Sequence, residues 1–364
     1  MRKMLGGLAA LLMVGIASTA SAAPDPRRAS LDRLVPRLLA EHKVPSASVA
    51  HVEDGRIVLL AAYGEQSPGV PATTDTLYNV ASLTKPISAE TVLRLASQGG
   101  LSLDEPMHPH WVDPDLAADP RHRLLTPRVA LSHRTGFPNW RRMAADKRLA
   151  FRTGPGEKPG YSGEGYEYFA RFTERKAGEP FEALAQRLVF DPIGMSRTSY
   201  TGRPWFEGRL ATGVNEEGKP QEHSIRTAFV ASDDMVTSPA DYARFLISSM
   251  KREGLTPAIA RERETVQAST RETSCAGARA NGCPDEIGFG LGWEVLKFPD
   301  RTMMMHSGND SGEFTIAWFS PDTRDGTVIF TNKHDGYKIV VEVAEALGME
   351  PAFMRFLRSQ AAPR

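Results

Sequence analysis

A chain of 364 residues is long enough for one large domain or two interleaved ones with a substantial core. Its 44 Lys plus Arg balance 44 Asp plus Glu, so neither nucleic acid nor another polyanion has an electrostatic reason to bind. The composition also argues against a disordered, fibrous or membrane-bundle protein.

In chain order, residues 1–22 read as an export signal. Arg2 and Lys3 precede an apolar run over 4–17, and Ala20-Ser21-Ala22 offers small residues for cleavage. The competing reading is an uncleaved anchor, but the run is shorter than the roughly 20 residues a span needs. The expected product is exported, periplasmic or secreted, without stable membrane insertion. Leu31, Leu34, Val35, Leu38 and Leu39 then fall on one helical face. Strands are expected over 46–52 and 56–63, turning at Glu53-Asp54-Gly55. The stretch 82–285 reads as helical pieces between Pro- and Gly-rich loops, clearest over 182–189 and 239–250. Strands return over 302–306, 314–319 and 327–331, and an amphipathic helix carrying Ile339, Val340, Val343 and Ala346 spans 338–347.

This pattern predicts an α/β (α+β) fold: one antiparallel sheet built from both chain ends, flanked by helices, with an inserted, mostly helical domain. The sheet domain would comprise 23–81 and 286–364, and the insertion 82–285 would carry the nucleophile. In an oxidising compartment Cys275 and Cys283, which flank a short polar stretch, are expected to close a local disulfide loop. A two-cysteine metal site would need further ligands nearby, and none are evident.

Three segments carry chemistry. In Ala81-Ser82-Leu83-Thr84-Lys85, a helix starting at Ser82 would place Lys85 one turn away on the same face. A desolvated lysine amine can take the proton of a serine hydroxyl, and a helix start aims N–H groups at developing negative charge. Alone, S-x-x-K occurs by chance. In Gly160-Tyr161-Ser162-Gly163-Glu164-Gly165-Tyr166, a glycine-punctuated loop before a helix over 168–176 could hold the Tyr161 hydroxyl against a neighbouring helix; a packing aromatic in a surface turn is the alternative. In Met305-His306-Ser307-Gly308-Asn309, a strand end with a glycine could lie along a substrate and turn an N–H toward an oxyanion.

In this order the three segments resemble the S-x-x-K, Y-x-N and K-T-G motifs of serine β-lactamases and penicillin-binding proteins. The chain looks like the class C β-lactamase branch, which includes carboxylesterases (family VIII-type esterases among them), D-aminopeptidases and nylon-oligomer hydrolases. Further likeness lies in Gly100-Leu101-Ser102-Leu103-Asp104, Leu131-Ser132-His133-Arg134-Thr135-Gly136, Thr237-Ser238-Pro239-Ala240-Asp241 and Gly288-Phe289-Gly290-Leu291-Gly292-Trp293, so it covers nearly all of the chain after the signal. The resemblance implies Ser82 as nucleophile, Lys85 as the lysine sharing its proton, and Tyr161 as general base that protonates the leaving group. Backbone N–H groups of Ser82 and Asn309 would form the oxyanion hole, and Gly163, His306, Ser307 and Gly308 would contact substrate. It implies no cofactor or metal, and a monomer acting on a small-molecule, peptide or ester substrate.

Two departures bear on that substrate. Gly163 stands where Y-x-N has asparagine, and His306 where K-T-G has lysine. Histidine near its ordinary pKa is mostly neutral at neutral pH, so it would hold a substrate carboxylate less firmly than lysine. Both changes favour ester or amide hydrolysis over efficient β-lactam hydrolysis.

Other readings stay open. His108-Pro109-His110 followed by Asp113 resembles a zinc motif with its aspartate one place late and no later histidine, so a surface loop is the simpler account. An α/β-hydrolase would need a G-x-S-x-G elbow, which is absent. A non-catalytic penicillin- or peptidoglycan-binding protein could use the same pocket.

Overall fold

The computed structural model describes residues 25–221 and 225–361, so the expected export signal lies outside the described residues. Helix α1 (Pro26–His42) starts at Asp25, whose carboxylate accepts the Arg27 N–H, and buries Leu31, Val35, Leu38 and Leu39. It leads into β1 (Ser46–Glu53), β2 (Arg56–Ser67) and the short β3 (Val70–Pro71). The remaining strands of the main sheet are β4 (Ala268–Ser269), β5 (Glu286–Phe289), β6 (Glu294–Lys297), β7 (Thr302–Asp310), β8 (Glu313–Phe319) and β9 (Gly326–Thr331). Their order is β3-β2-β1-β9-β8-β7-β6-β5-β4, every neighbouring pair antiparallel.

The two chain ends meet where β1 pairs with β9, Ala47 opposite Thr331, as the sequence pattern required. β4 comes from inside the stretch read as helical and extends the far edge. Central strands are covered on both faces, which explains their unbroken apolar runs. Val49, Ile316, Trp318 and Ile329 pack toward α1. Ala50, Ala317, Phe319, Val328 and Phe330 pack toward the inserted helices, chiefly α2 (Thr84–Ser97), α3 (Gly163–Ala177) and α4 (Pro239–Met250). Inside that insertion, α2 is fixed by a buried ion network in which Glu90 meets Arg94 and Arg263.

Several boundaries shift from expectation. The helix expected over 338–347 enters through a 3-10 turn (His334–Ile339) and is α-helical only over α5 (Val340–Ala346). After Gly348, with its φ of 76°, a further helix α6 (Pro351–Ala361) buries Phe353, Met354, Phe356 and Leu357; the sequence pattern did not predict it. The helix expected over 182–189 is Phe181–Ala185 continuing into a π-turn, Gln186–Phe190. Cys275 and Cys283 are bonded, closing the loop around Gly277–Gly282 against α6.

Two pairings position the turn that carries Ser82. Tyr78–Asn79 pairs with Val236–Thr237, and Val80 N–H donates to the Met235 carbonyl at 2.9 Å. The segment before Ser82 is therefore stitched to a loop far along the chain, at residues 231–237.

Candidate active site

Ser82 sits in a 3-10 turn (Ala81–Leu83), with α-helical geometry beginning only at Thr84. Ala81 before it holds a φ of 44°, a left-handed conformation that a non-glycine residue adopts only under constraint. The constraint is visible: Asn79 Oδ1 accepts the Ala81 N–H at 2.8 Å, and Thr84 Oγ1 donates to the Ala81 carbonyl at 2.6 Å. The predicted serine–lysine proximity is present. Lys85 is fully buried, and its Nζ donates to Ser82 Oγ at 2.8 Å and to the Ser232 carbonyl at 2.7 Å.

The Ser232 loop is itself held. Glu167, on α3, accepts the Ser232 N–H at 3.0 Å and its hydroxyl at 2.6 Å, while Thr84 Oγ1 accepts the Met235 N–H. Burial pushes Glu167 above its ordinary range, opposed by the Ser232 bonds and the Lys85 charge. Sequence reasoning did not find this residue; its only signal was a carboxylate on a helix otherwise packed with aromatics.

Tyr161 lies over the lysine, with Lys85 Nζ 4.8 Å from its ring centre. The residues after it are not the loop that the glycines suggested. Ser162 caps α3 by accepting the Gly165 N–H at 3.0 Å, so Gly163, Glu164 and Gly165 form the first helical turn. His133 stacks on Tyr161 with ring centres 4.4 Å apart, accepts the Ser162 N–H at its Nδ1, and takes the Gly160 N–H on its carbonyl. Burial, then the nearby Lys85 and His306, hold His133 well below its ordinary pKa, so its Nδ1 stays free to accept. It clamps the tyrosine from both sides.

Gly163 does not line the cleft. A Cβ there would lie 2.9 Å from the Trp140 ring, so the indole occupies the space an asparagine would need. Trp140 faces the cleft instead, with the Arg142 guanidinium stacked on it at 4.5 Å. Gly308 is likewise covered: a Cβ would meet the Val80 carbonyl at 2.1 Å and Ser82 N at 3.0 Å. Its bareness lets β7 approach Ser82, and Thr315 Oγ1 on β8 ties the Val80 carbonyl at 2.8 Å.

The cleft of ≈ 350 Å³ gathers Ser82, Tyr161, His306, Ser307 and Asn309 with Asn139, Phe289 and three carboxylates, Asp233, Glu294 and Asp310. Arg142 is the one Lys or Arg side chain among its described lining residues. Burial, then the Lys85 charge, brings His306 down to about 3, so the imidazole at the K-T-G position is neutral. Desolvation pushes Glu294 up to about 7. Burial raises Asp233 to about 7 against the pull of Lys85.

The histidines considered for zinc do not converge: His108 lies edge-on to His122, His110 against Phe172, and Asp113 is paired with Arg141.

The Beta-lactamase family model matches residues 31–347. D-alanyl-D-alanine-carboxypeptidase/endopeptidase AmpH of Escherichia coli (strain K12) is 24% identical across 82% of this chain and 84% of its own. Esterase EstB of Burkholderia gladioli is 27% identical across 80% and 86%. In fold, the chain superposes on the octameric penicillin-binding protein homologue from Pyrococcus abyssi with a TM-score of 0.74 at 21% identity, covering 89% of this chain and 78% of that one.

Proposed function

The chain belongs to the Beta-lactamase family, and from that premise we propose that it is an exported serine hydrolase acting through an acyl-serine intermediate on ester or amide substrates. The observation that carries this reading is the fully buried Lys85 amine 2.8 Å from Ser82 Oγ at the floor of an open cleft. In the first step Ser82 Oγ attacks the substrate carbonyl while its proton passes into the Lys85–Tyr161 pair. The N–H groups of Ser82 and Asn309 receive the oxyanion, each donor contributing about 3–4 kcal/mol. Tyr161 passes a proton to the departing alkoxide or amine, which leaves the acyl-serine. Water then attacks the acyl carbon, its proton returning through Tyr161 and Lys85, and the acid departs from Ser82.

The cleft supports a neutral ester or amide over a carboxylate-bearing β-lactam. The K-T-G lysine is replaced by a neutral imidazole, the Y-x-N asparagine by a glycine covered with indole, and three carboxylates face inward. Arg142 at the rim favours a second reading, β-lactamase or D-Ala-D-Ala carboxypeptidase activity, because it could hold a substrate carboxylate.

The test is purified protein against short p-nitrophenyl esters, D-amino-acid peptides and a chromogenic cephalosporin, with intact-mass detection of the adduct. Ester turnover should exceed cephalosporin turnover. Ser82→Ala should abolish both turnover and adduct, a loss of roughly 10⁴-fold or more, and Tyr161→Phe should slow turnover by about 10²- to 10⁴-fold with the fold intact. Residual turnover in Ser82→Ala would overturn the nucleophile assignment. Penicillin labelling without turnover would favour a binding protein.

A further inference from the structure

Beside the nucleophile, carboxylates accumulate faster than the charges that could balance them. Oxygens of Asp233, Asp234 and Asp310 lie within 4.8 Å of one another. Asp310 on β7 stands directly opposite Glu313 on β8, so the two side chains share a sheet face. It is the face of Gly308 and Thr315, which both meet Val80, so Glu313 points toward the same segment as the three aspartates. Glu313 is 6% exposed, and among the described residues its carboxylate has no hydrogen-bond or ion-pair partner.

Among the described residues, the cations Arg226 and Lys85 stand near these four acids. Arg226 pairs with Asp234, which also accepts from Asn79 Nδ2 at 3.0 Å. Lys85 is within electrostatic reach of Asp233, but its hydrogen bonds go to Ser82 and Ser232. A buried carboxylate left without a partner is costly, and a bound cation removes that cost.

We propose that Asp233, Asp234 and Asp310, backed by Glu313, form a site for a hard divalent cation of the calcium class. The donors are all carboxylate oxygens, which suits a hard ion. Their mutual spacing fits within the roughly 5 Å diameter set by two calcium–oxygen distances. Magnesium demands a tighter octahedron of about 4 Å. The ion would tie the β7–β8 turn to the 232–235 loop, and that loop carries the carbonyl that receives Lys85.

The experiment is calcium titration of chelator-treated full chain by calorimetry, alongside thermal unfolding with and without calcium. One ion per chain should bind, with a dissociation constant of about 10⁻⁴ to 10⁻³ M, and raise the melting temperature. Asp310→Asn, a nearly isosteric change at an exposed position, should weaken binding about tenfold or more, and Glu313→Gln should also weaken it. No heat and no melting shift up to about 10 mM calcium would overturn the site. So would unchanged affinity in both variants, or magnesium binding as tightly as calcium. These readouts are independent of turnover: calcium binding by a chain that hydrolyses nothing supports this inference, and hydrolysis without calcium binding overturns it.

Discussion

On the wall of the cleft that carries Ser82, the polar groups are committed. Lys85 is fully buried between Ser82 and the Ser232 carbonyl, Glu167 holds Ser232, and Asn79, Thr84 and Thr315 fix the backbone around Ala81. The recognition wall is the rest of the lining, with Trp140 and Arg142 from one loop, Glu294 at the start of β6, and His306 and Asp310 on β7; among the described residues no ion pair joins Arg142, Glu294 or Asp310. The Ser82 wall joins a 3-10 turn to the first helical residues, and the contacts that hold that turn leave little freedom. The recognition wall is set by which loops happen to meet, so it can change while the chemistry stays. The chain keeps the motif residues at Ser82, Lys85 and Tyr161 and departs from the motifs at positions 163 and 306.

The sharpest way to break that contrast is to loosen the committed wall from outside the motif. Glu167→Ala leaves the Ser232 N–H and hydroxyl without their acceptor and frees the carbonyl that receives Lys85. We expect kcat to fall about 10- to 100-fold with KM little changed, as small misplacements of catalytic groups do. Glu167→Gln, which keeps an acceptor oxygen, should restore most of it. Steady-state kinetics on an ester decides the matter: a drop in melting temperature without a drop in kcat would reduce Glu167 to a packing residue.

A smaller effect is expected behind the recognition wall, beneath Trp140. Gly163→Asn forces its Cβ against the Trp140 ring and should destabilise the fold by about 1–3 kcal/mol, measurable by denaturant unfolding. Pairing it with Trp140→Ala opens the space and should recover part of that loss while raising the rate of acylation by penicillin. An unchanged unfolding midpoint in the single variant would show that the indole yields freely.

The smallest expected effect is electrostatic. With a pKa of about 7, Glu294 is mostly protonated below neutrality and ionised above it. Raising the pH from about 6 to about 8 should therefore increase KM for an anionic penicillin about two- to tenfold relative to a neutral ester. Glu294→Gln should shrink that change in the KM ratio, with Asp233 left in place. A ratio whose pH dependence is the same in both proteins would remove Glu294 from substrate discrimination.

Much of the fold is legible because its signals are local. The stripe of Leu31, Val35, Leu38 and Leu39 and the Glu53-Asp54-Gly55 turn each declare themselves within a few residues. The departures share a cause. Gly163 and Gly165 look like loop residues because the Ser162 cap, which turns them into helix, works through a single hydrogen bond. The helix α6 escapes the sequence pattern because its apolar stripe becomes meaningful only against the sheet face it covers. His133, Glu167 and Trp140 act through residues about 30, 65 and 23 positions away, where sequence spacing carries no information.

The sequence by itself pointed to the Ser82–Lys85 pair, because a spacing of three brings two side chains to one side of a turn. It also determined the antiparallel sheet closed by both ends of the chain. Only the tertiary structure decided what the cleft can hold. The neutrality of His306, the indole over Gly163 and the gathering of Asp233, Asp234, Asp310 and Glu313 all arise from burial and from contacts between distant segments. Charge state and free space are properties of that packed environment, and no short stretch of sequence contains it.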